Sequence, residues 1–454
     1  MQHRFVLILM ILALFLILPP GNGVVLPTAA QAVDANVLDY GAVADGITDC
    51  TAAFQKALDT VKKNGGIVYA PAGKYMFRGH LLVPSGATLI GSWQGPPARE
   101  SGTILLATEG AGNADGDAFV TLEGNAGIKG LIINYPEQPA DAEKPVLYPW
   151  TIRGLAQDCQ ISDLMFIRAY RGVDFGTYPC SRFYINNLYG SVLSRGIYID
   201  GSVDVNRMNN VHFSAWGCAA KTNLWRRNNL EVITVGKADW LWMTNVFCFE
   251  AAVGVRFIYG KGGNGKPEGP SNYVQISHSG FDDTTSPIIV EQCEVLNISQ
   301  SVFKGKAIEI RETSANSIRF SQCNFSPIPG TGTLVDAKGV GKVSFTDCTF
   351  EFWDTEGLWL PALKAGCVSL SVTDCEFGSH NRPSLVRGST MATQIEIAPE
   401  VKSAVIRGNR LRYGKRIVNK SKGNIIIKDN VTDDYDLPMF QPKPEKGASD
   451  IEAE

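Results

Sequence analysis

Short alternations of apolar and polar residues, each closed by a polar turn and a pair ending in an aromatic residue, recur along most of this chain. The clearest copies are Arg319-Phe320-Ser321-Gln322-Cys323-Asn324-Phe325, Ser344-Phe345-Thr346-Asp347-Cys348-Thr349-Phe350 and Ser371-Val372-Thr373-Asp374-Cys375-Glu376-Phe377. The same beat can be followed through Phe166, Leu188, Phe213, Phe247, Phe281 and Phe303, then Leu411 and Val431. Alternation with period two predicts strands, one face in and one face out. A repeat of roughly 20 to 27 residues is too small to bury its own apolar face and must stack on its neighbours. Strand repeats with no helix between them predict a parallel β-helix from about Val37 to Val431, an all-β fold. Phe325, Phe350 and Phe377 should then stack inside it, and Cys323, Cys348 and Cys375 should form a buried ladder of unpaired thiols.

The ends read differently. His3 and Arg4 precede the apolar run Phe5 to Leu18, and the small-residue site Ala30-Gln31-Ala32 follows. That order predicts a signal peptide over residues 1–32 and a secreted or periplasmic protein. The open end of a β-helix needs a cover. Phe54, Ala57, Leu58 and Val61 recur at helical spacing, Thr48 or Asp49 can cap their helix, and Lys62, Lys63 and Asn64-Gly65-Gly66 can end it. A capping helix over 48–62 is therefore expected within one domain, 33–435. Residues 436–454 are charged and aperiodic and read as a flexible tail.

Charge and cysteine count change the picture little. Net charge is −3, which gives no support for bulk nucleic-acid or membrane-surface binding. Between Arg168 and Lys266, however, 12 Lys and Arg stand against 6 Asp and Glu, an excess that suits an acidic polymer or simply a solvated surface. The five His and ten Cys show no metal-ligand spacing, and no cofactor is expected.

The passage from Asn36-Val37-Leu38-Asp39-Tyr40-Gly41 through the helix to Ile67-Val68-Tyr69-Ala70-Pro71-Ala72-Gly73-Lys74-Tyr75 resembles the N-terminus of the pectate-lyase-like superfamily of right-handed β-helices. That group includes rhamnogalacturonases, polygalacturonases, epimerase-like proteins and phage tailspikes. A second passage is similar to bacterial proteins related to glycosyl hydrolase family 28. It comprises Tyr148-Pro149-Trp150-Thr151-Ile152, Arg171 to Gly176, Asn187 to Gly190 and Asp204 to Phe213. The resemblance implies a right-handed parallel β-helix and carbohydrate chemistry. It does not carry over the polygalacturonase catalytic set, because Asn-Thr-Asp, Gly-His-Gly and Arg-Ile-Lys are all missing. Asp282-Asp283, without those companions, reads as a turn.

Two constellations remain as candidate sites. Aligning the strands that follow one another places Asp174, Tyr198, Glu231 and Arg256 in one outward column, with Asp200 beside Tyr198. Asp174 and Glu231, two coils apart, could reach the carboxyl separation of an inverting glycosidase, about 6.5–9.5 Å. Tyr198 and Arg256 would then orient sugar hydroxyls and carboxylates. The second constellation is Asp200, Asp204, Arg207 and His212 just before Trp216, an acid/base and stacking platform or else a packed turn with a local ion pair. Trp240 and Trp242 could wall a cleft or be buried on a strand. A glycoside hydrolase acting on an acidic, pectin-like polysaccharide is the first reading. A lyase is second, with Ca²⁺ held by Asp174, Asp200 and Glu231 and Arg256 near the departing proton. A non-catalytic carbohydrate-binding solenoid is third. In each case the partner is a polysaccharide, and oligomeric state is open.

Overall fold

The computed structural model describes residues 34–432, except 97–98, 312–314, 356, 379–391 and 413. The expected signal peptide and tail lie outside the described residues. The described chain winds as a right-handed parallel β-helix whose strands pair coil upon coil on three faces. On face A, Gly127–Lys129, Gln160–Ser162, Tyr184–Asn186, Arg207–Asn209 and Trp242–Thr244 follow one another. On face B, Leu131–Ile133, Leu164–Phe166, Leu188–Gly190, Val211–Phe213 and Val246–Cys248 do so. On face C, Trp150–Arg153, Arg171–Phe175, Arg195–Ile199, Glu231–Val235 and Val253–Phe257 are in register.

Faces A and B meet at a single residue in the left-handed region. Asp163, Asn187, Asn210 and Asn245 hold φ of 52–54° there, and Gln322, Asp347 and Asp374 hold 51–56°. Short polar side chains tolerate this conformation, which explains the residue before each repeated Cys. The turn is also braced sideways: Asn187 Nδ2 donates to Asp163 Oδ1 and Asn210 Nδ2 to Asn187 Oδ1, both at 2.8 Å.

Beyond residue 280 the interior is a stack of rings. Phe281, Phe303, Phe325, Phe350 and Phe377 follow at centroid distances of 5.5, 5.6, 4.7 and 4.4 Å, as the repeat predicts. Cys323, Cys348 and Cys375 lie buried beside them as free thiols. Hydrogen bonding to Cys348, and then burial, pushes the Cys323 and Cys375 thiols up.

The sequence alignment slips in two places. Cys248, and not Phe247, pairs with Phe213 and Phe281 inside; Phe247 falls on the outer side, since a one-residue shift reverses every side chain. Leu188 pairs with Leu164 and Val211, while Gly190 is the partner of Phe166 and Phe213.

The capping helix, α1, runs Thr51–Val61, three residues shorter at its start than expected. Asp45–Asp49 pairs instead with Gly73–Phe77, held by Asp45 Oδ1 accepting from the Ile47 and Thr48 amides at 2.8 Å. Asp49 still serves the helix start, accepting from the Thr51 amide at 3.0 Å. Phe54, Ala57, Leu58 and Val61 are its buried face. A second helix, α2, Ala220–Asn229, occupies the insertion before Glu231. Its Arg226 is fully buried, donating to the Val192 and Phe249 carbonyls at 3.1 and 3.2 Å. Arg227 bridges Glu250 and Asp283, each at 2.6 Å. Asp283 has φ 47° but lies inside the strand Gly280–Val290, at a break in its register with Val302–Gly305, so the Asp282-Asp283 pair is a kink within a strand and not the turn expected.

Candidate functional site on face C

The outward column proposed from sequence exists in part. Arg153, Asp174, Tyr198, Thr234 and Arg256 are successive partners on face C. Glu231 is not among them. It pairs with Arg195 and Val253 in the neighbouring column, three residues from the assumed register, because α2 absorbs the insertion that precedes it.

Asp174 points outward yet is fully buried. Arg153 Nε donates to it at 2.7 Å, and the Gly176 amide, the Thr177 amide and the Thr177 hydroxyl donate at 3.0, 2.8 and 2.7 Å. Gly176 has no side chain because the Tyr198 ring fills that space, 2.6 Å from where a Cβ would stand. Asp200 is also fully buried. It gathers Lys266 Nζ at 2.6 Å, the Lys237 and Lys261 amides at 2.8 and 3.2 Å, and the Tyr198 hydroxyl at 3.0 Å. A Cβ at Gly236 or Gly260 would strike its Oδ1. Asp200 therefore staples the 258–271 loop over the end of face C. Burial, and then the Asp200 carboxylate, pushes the Tyr198 hydroxyl above its ordinary pKa, so Tyr198 is a fixed donor. Asp174, expected from sequence as the exposed partner of Glu231, is instead buried on Arg153, and Asp200 beside it is buried on Lys266.

Glu231 is the partly exposed member, its side chain 22% open to solvent. It sits 3.0 Å from Arg256 and 3.8 Å from Arg195, and the chain of charges continues through Glu291, Arg311 and Glu309 at 2.8, 2.6 and 3.0 Å. Arg171 lies over the Trp150 ring at 5.8 Å, and Trp150 stacks with Tyr198 at 6.4 Å. Of the basic middle third, Arg171, Arg195 and Arg256 stand on face C, whereas Arg207 is on face A and Arg226 and Arg227 are on α2. Asp174, Asp200 and Glu231 do not suit Ca²⁺: their oxygens are committed to Arg, Lys and amide donors. Among the described residues no three His, Cys, Asp or Glu side chains gather as a metal-binding group.

The other constellation is dispersed. His212 is on the outer side of face B, packed on Trp216 at 4.7 Å and Phe247 at 4.8 Å, beside a second apolar cluster of Ile104, Ile132, Met165 and Ile167. Burial pushes its pKa below the ordinary 6.5, so His212 and Trp216 pack as part of an outer core. Asp204 lies in the turn before face A, 3.5 Å from Arg182, and Arg207 is on face A with its guanidinium 5.4 Å from the Trp242 ring centre. Trp240 and Trp242 are both exposed.

At the N-terminal end of the same face C column is a cleft of about 320 Å³ lined by Gln55, His80, Asp117, Thr121, Arg153 and Tyr178, among others. His80 Nδ1 is 3.0 Å from the Ala118 carbonyl. A carbonyl only accepts, so Nδ1 donates, and in the neutral ring Nε2 is the acceptor. Arg153 spends Nε on Asp174; among the described residues its terminal nitrogens have no partner, nor has the Tyr178 hydroxyl. Sequence reasoning missed this group because His80, Asp117, Arg153 and Tyr178 share no motif. Only the coil register, with Leu82, Thr121 and Arg153 as successive partners, brings them together.

Residues 35–238 match the family described as rhamnogalacturonase A/epimerase, pectate lyase-like. Mannuronan C5-epimerase AlgE5 of Azotobacter vinelandii is 39% identical over 71 residues, which are 14% of this chain and 7% of that protein. Alginate lyase 7 of the same organism is 44% identical over 61 residues, 13% of this chain and 7% of that one. The matched stretch is thus a small part of these relatives. The solved catalytic unit of a GH87 α-1,3-glucanase from Streptomyces thermodiastaticus superposes with a TM-score of 0.53 at 13% identity, over 89% of this chain and 71% of that one. Residues 35–238 thus match a pectate-lyase-like family, and the superposition shows the β-helix fold.

Proposed function

We propose that this protein is an exported enzyme of a uronate-bearing polysaccharide, and that it removes the proton next to the uronate carboxyl in the face C cleft. The observation that carries this reading is the division of labour on face C. Its carboxylates at Asp174, Asp200 and Glu231 are tied to cations, while the cleft offers an imidazole acceptor, free guanidinium nitrogens and a phenol. Removing a proton beside a carboxylate requires that the carboxylate be neutralised, a task for the bidentate Arg153 fork. It also needs a base, His80 Nε2, and a group to handle the proton on the other side, Tyr178. Epimerisation and β-elimination share this first step, and the named relatives include one enzyme of each kind. The apolar run and the Ala30-Gln31-Ala32 site support export.

Hydrolysis of an acidic polysaccharide, the first expectation from sequence, is the competing outcome. It needs two uncommitted carboxyls flanking the bond, and the cleft lining contains one, Asp117. Incubating the protein with mannuronan and with polygalacturonate in D₂O separates the reactions. Proton abstraction introduces deuterium beside the carboxyl, or leaves an unsaturated, ultraviolet-absorbing sugar. New reducing ends with neither change would show a hydrolase and refute the proposal.

A further inference from the structure

Face A, on a different side of the helix from the cleft, carries a ribbon of exposed rings that the chemistry of face C does not use. Tyr184, Arg207 and Trp242 are direct partners in three successive coils, so they project from one column at steps of about 4.8 Å. Tyr184 and Trp242 are each 37% exposed. One turn away, Trp240 and Tyr273 stack at 4.8 Å with an interplanar angle of 25° and are 43% and 45% exposed.

The backbone beneath that pair is unusual. Trp240 and Tyr273 both hold φ 53°, in the left-handed region that bulky residues avoid. Earlier coils fill the same turn with Asn125 and Asp158, which tolerate it, and with Arg182, which is tied to Asp158 by a two-pronged ion pair. Strain retained for two exposed aromatics, whose outer surfaces gain nothing from burial, points to a use for those surfaces. Beside the ribbon, Asn209 Nδ2 donates to Asn186 Oδ1 at 2.8 Å and Asn245 Nδ2 to Asn209 Oδ1 at 3.1 Å. Flat rings alongside a row of side-chain amides suit a pyranose, which has apolar C–H faces and hydroxyl edges. Arg207 has no carboxylate partner among the described residues and stands between the rings, where a uronate carboxylate would find it.

We propose that Tyr184, Arg207, Trp242, Trp240 and Tyr273 form a second, non-catalytic surface that holds a uronate polysaccharide by ring stacking and tethers the enzyme to its polymer. The ligand class rests on the proposed function, but the surface is separate from the cleft. The test is affinity electrophoresis of the mature protein through gels containing polygalacturonate or alginate, beside gels with a neutral glucan. Trp242→Ala with Tyr273→Ala should weaken retention by uronan at least tenfold, with turnover of a short soluble oligouronate unchanged. His80→Ala should keep the retention. If His80→Ala stays active while the aromatic variant loses retention, the cleft assignment falls and this surface stands. Retention equal to the parent's in the double variant overturns the proposal, as does equal retention by the neutral glucan. A parent dimer in sedimentation that the double variant dissociates, with uronan retention unaltered, would assign the ribbon to a second copy of the chain and also overturn it.

Discussion

The coils beyond residue 280 and those before it are built by different rules. Both share a left-handed residue at the corner of faces A and B, but in the later coils the ring after it repeats, so Phe303, Phe325, Phe350 and Phe377 stack nearly parallel. In the earlier coils the strands keep register but that interior position varies, through Phe166, Gly190, Phe213 and Cys248. A helix with a fully buried Arg226 is inserted, Asp174 and Asp200 are buried with their counter-ions, and the 258–271 loop is stapled over a sheet end. Uniform coils supply stability through apolar contact, whereas the irregular ones supply fixed charges and a concave surface. Irregularity marks where to look for chemistry.

The largest effects should come from attacking each region by its own rule. Phe350→Ala removes a fully buried ring and should cost about 3–5 kcal/mol, read from denaturant unfolding. Asp200→Ala would strand Lys266 in a buried site, at a comparable cost of about 3–5 kcal/mol. Proteolysis should then report opening of the 258–271 loop first, a local loss that Phe350→Ala should not show. If both variants open the same segment, the two regions are not distinct.

A smaller change is expected at the cover. Asp49→Ala removes the acceptor at the start of α1 and should lower stability by about 1 kcal/mol. Smaller again is the ion chain on face C. Arg256→Ala should cost about 1 kcal/mol or less, since Glu231 keeps Arg195 and Glu291 keeps Arg311 as counter-ions, and high salt should narrow the difference from the parent. The faintest signal is His212. Its folded pKa lies below 6.5 because of burial, so the unfolded chain takes up a proton first as pH falls. Stability should be full above pH 6.5, decline as pH falls below it toward the lower folded pKa, and then level. His212→Phe should remove that decline in a thermal melt series.

The architecture was legible because its determinants are local and repeated: apolar alternation, a turn residue, and a ring at fixed intervals. The helix at residues 51–61 was legible from spacing, but its first turn was not, since Asp45–Asp49 gains a strand partner further along the chain, pairing Asp45 with Lys74 and Asp49 with Met76. The site was far less legible. The sequence places Asp174 and Tyr198 in one outward column correctly, yet it cannot show that Arg153 closes over the carboxylate. Glu231 was lost to a helix whose apolar signal is carried by few residues, and the cleft is assembled from four coils with no common motif. Pairing register is readable from a sequence; the partners that neutralise a charge seldom are.

The account turns on whether the reaction uses the cleft or the carboxylates of the column. The decisive measurement is kcat/KM of His80→Ala and of Glu231→Gln, side by side, on one uronan that the parent transforms. Loss of a general base should lower the first by about 10²-fold or more with no shift in Tm, while the second stays within a few fold of the parent. A Glu231→Gln enzyme that is inactive beside a fully active His80→Ala would contradict the account.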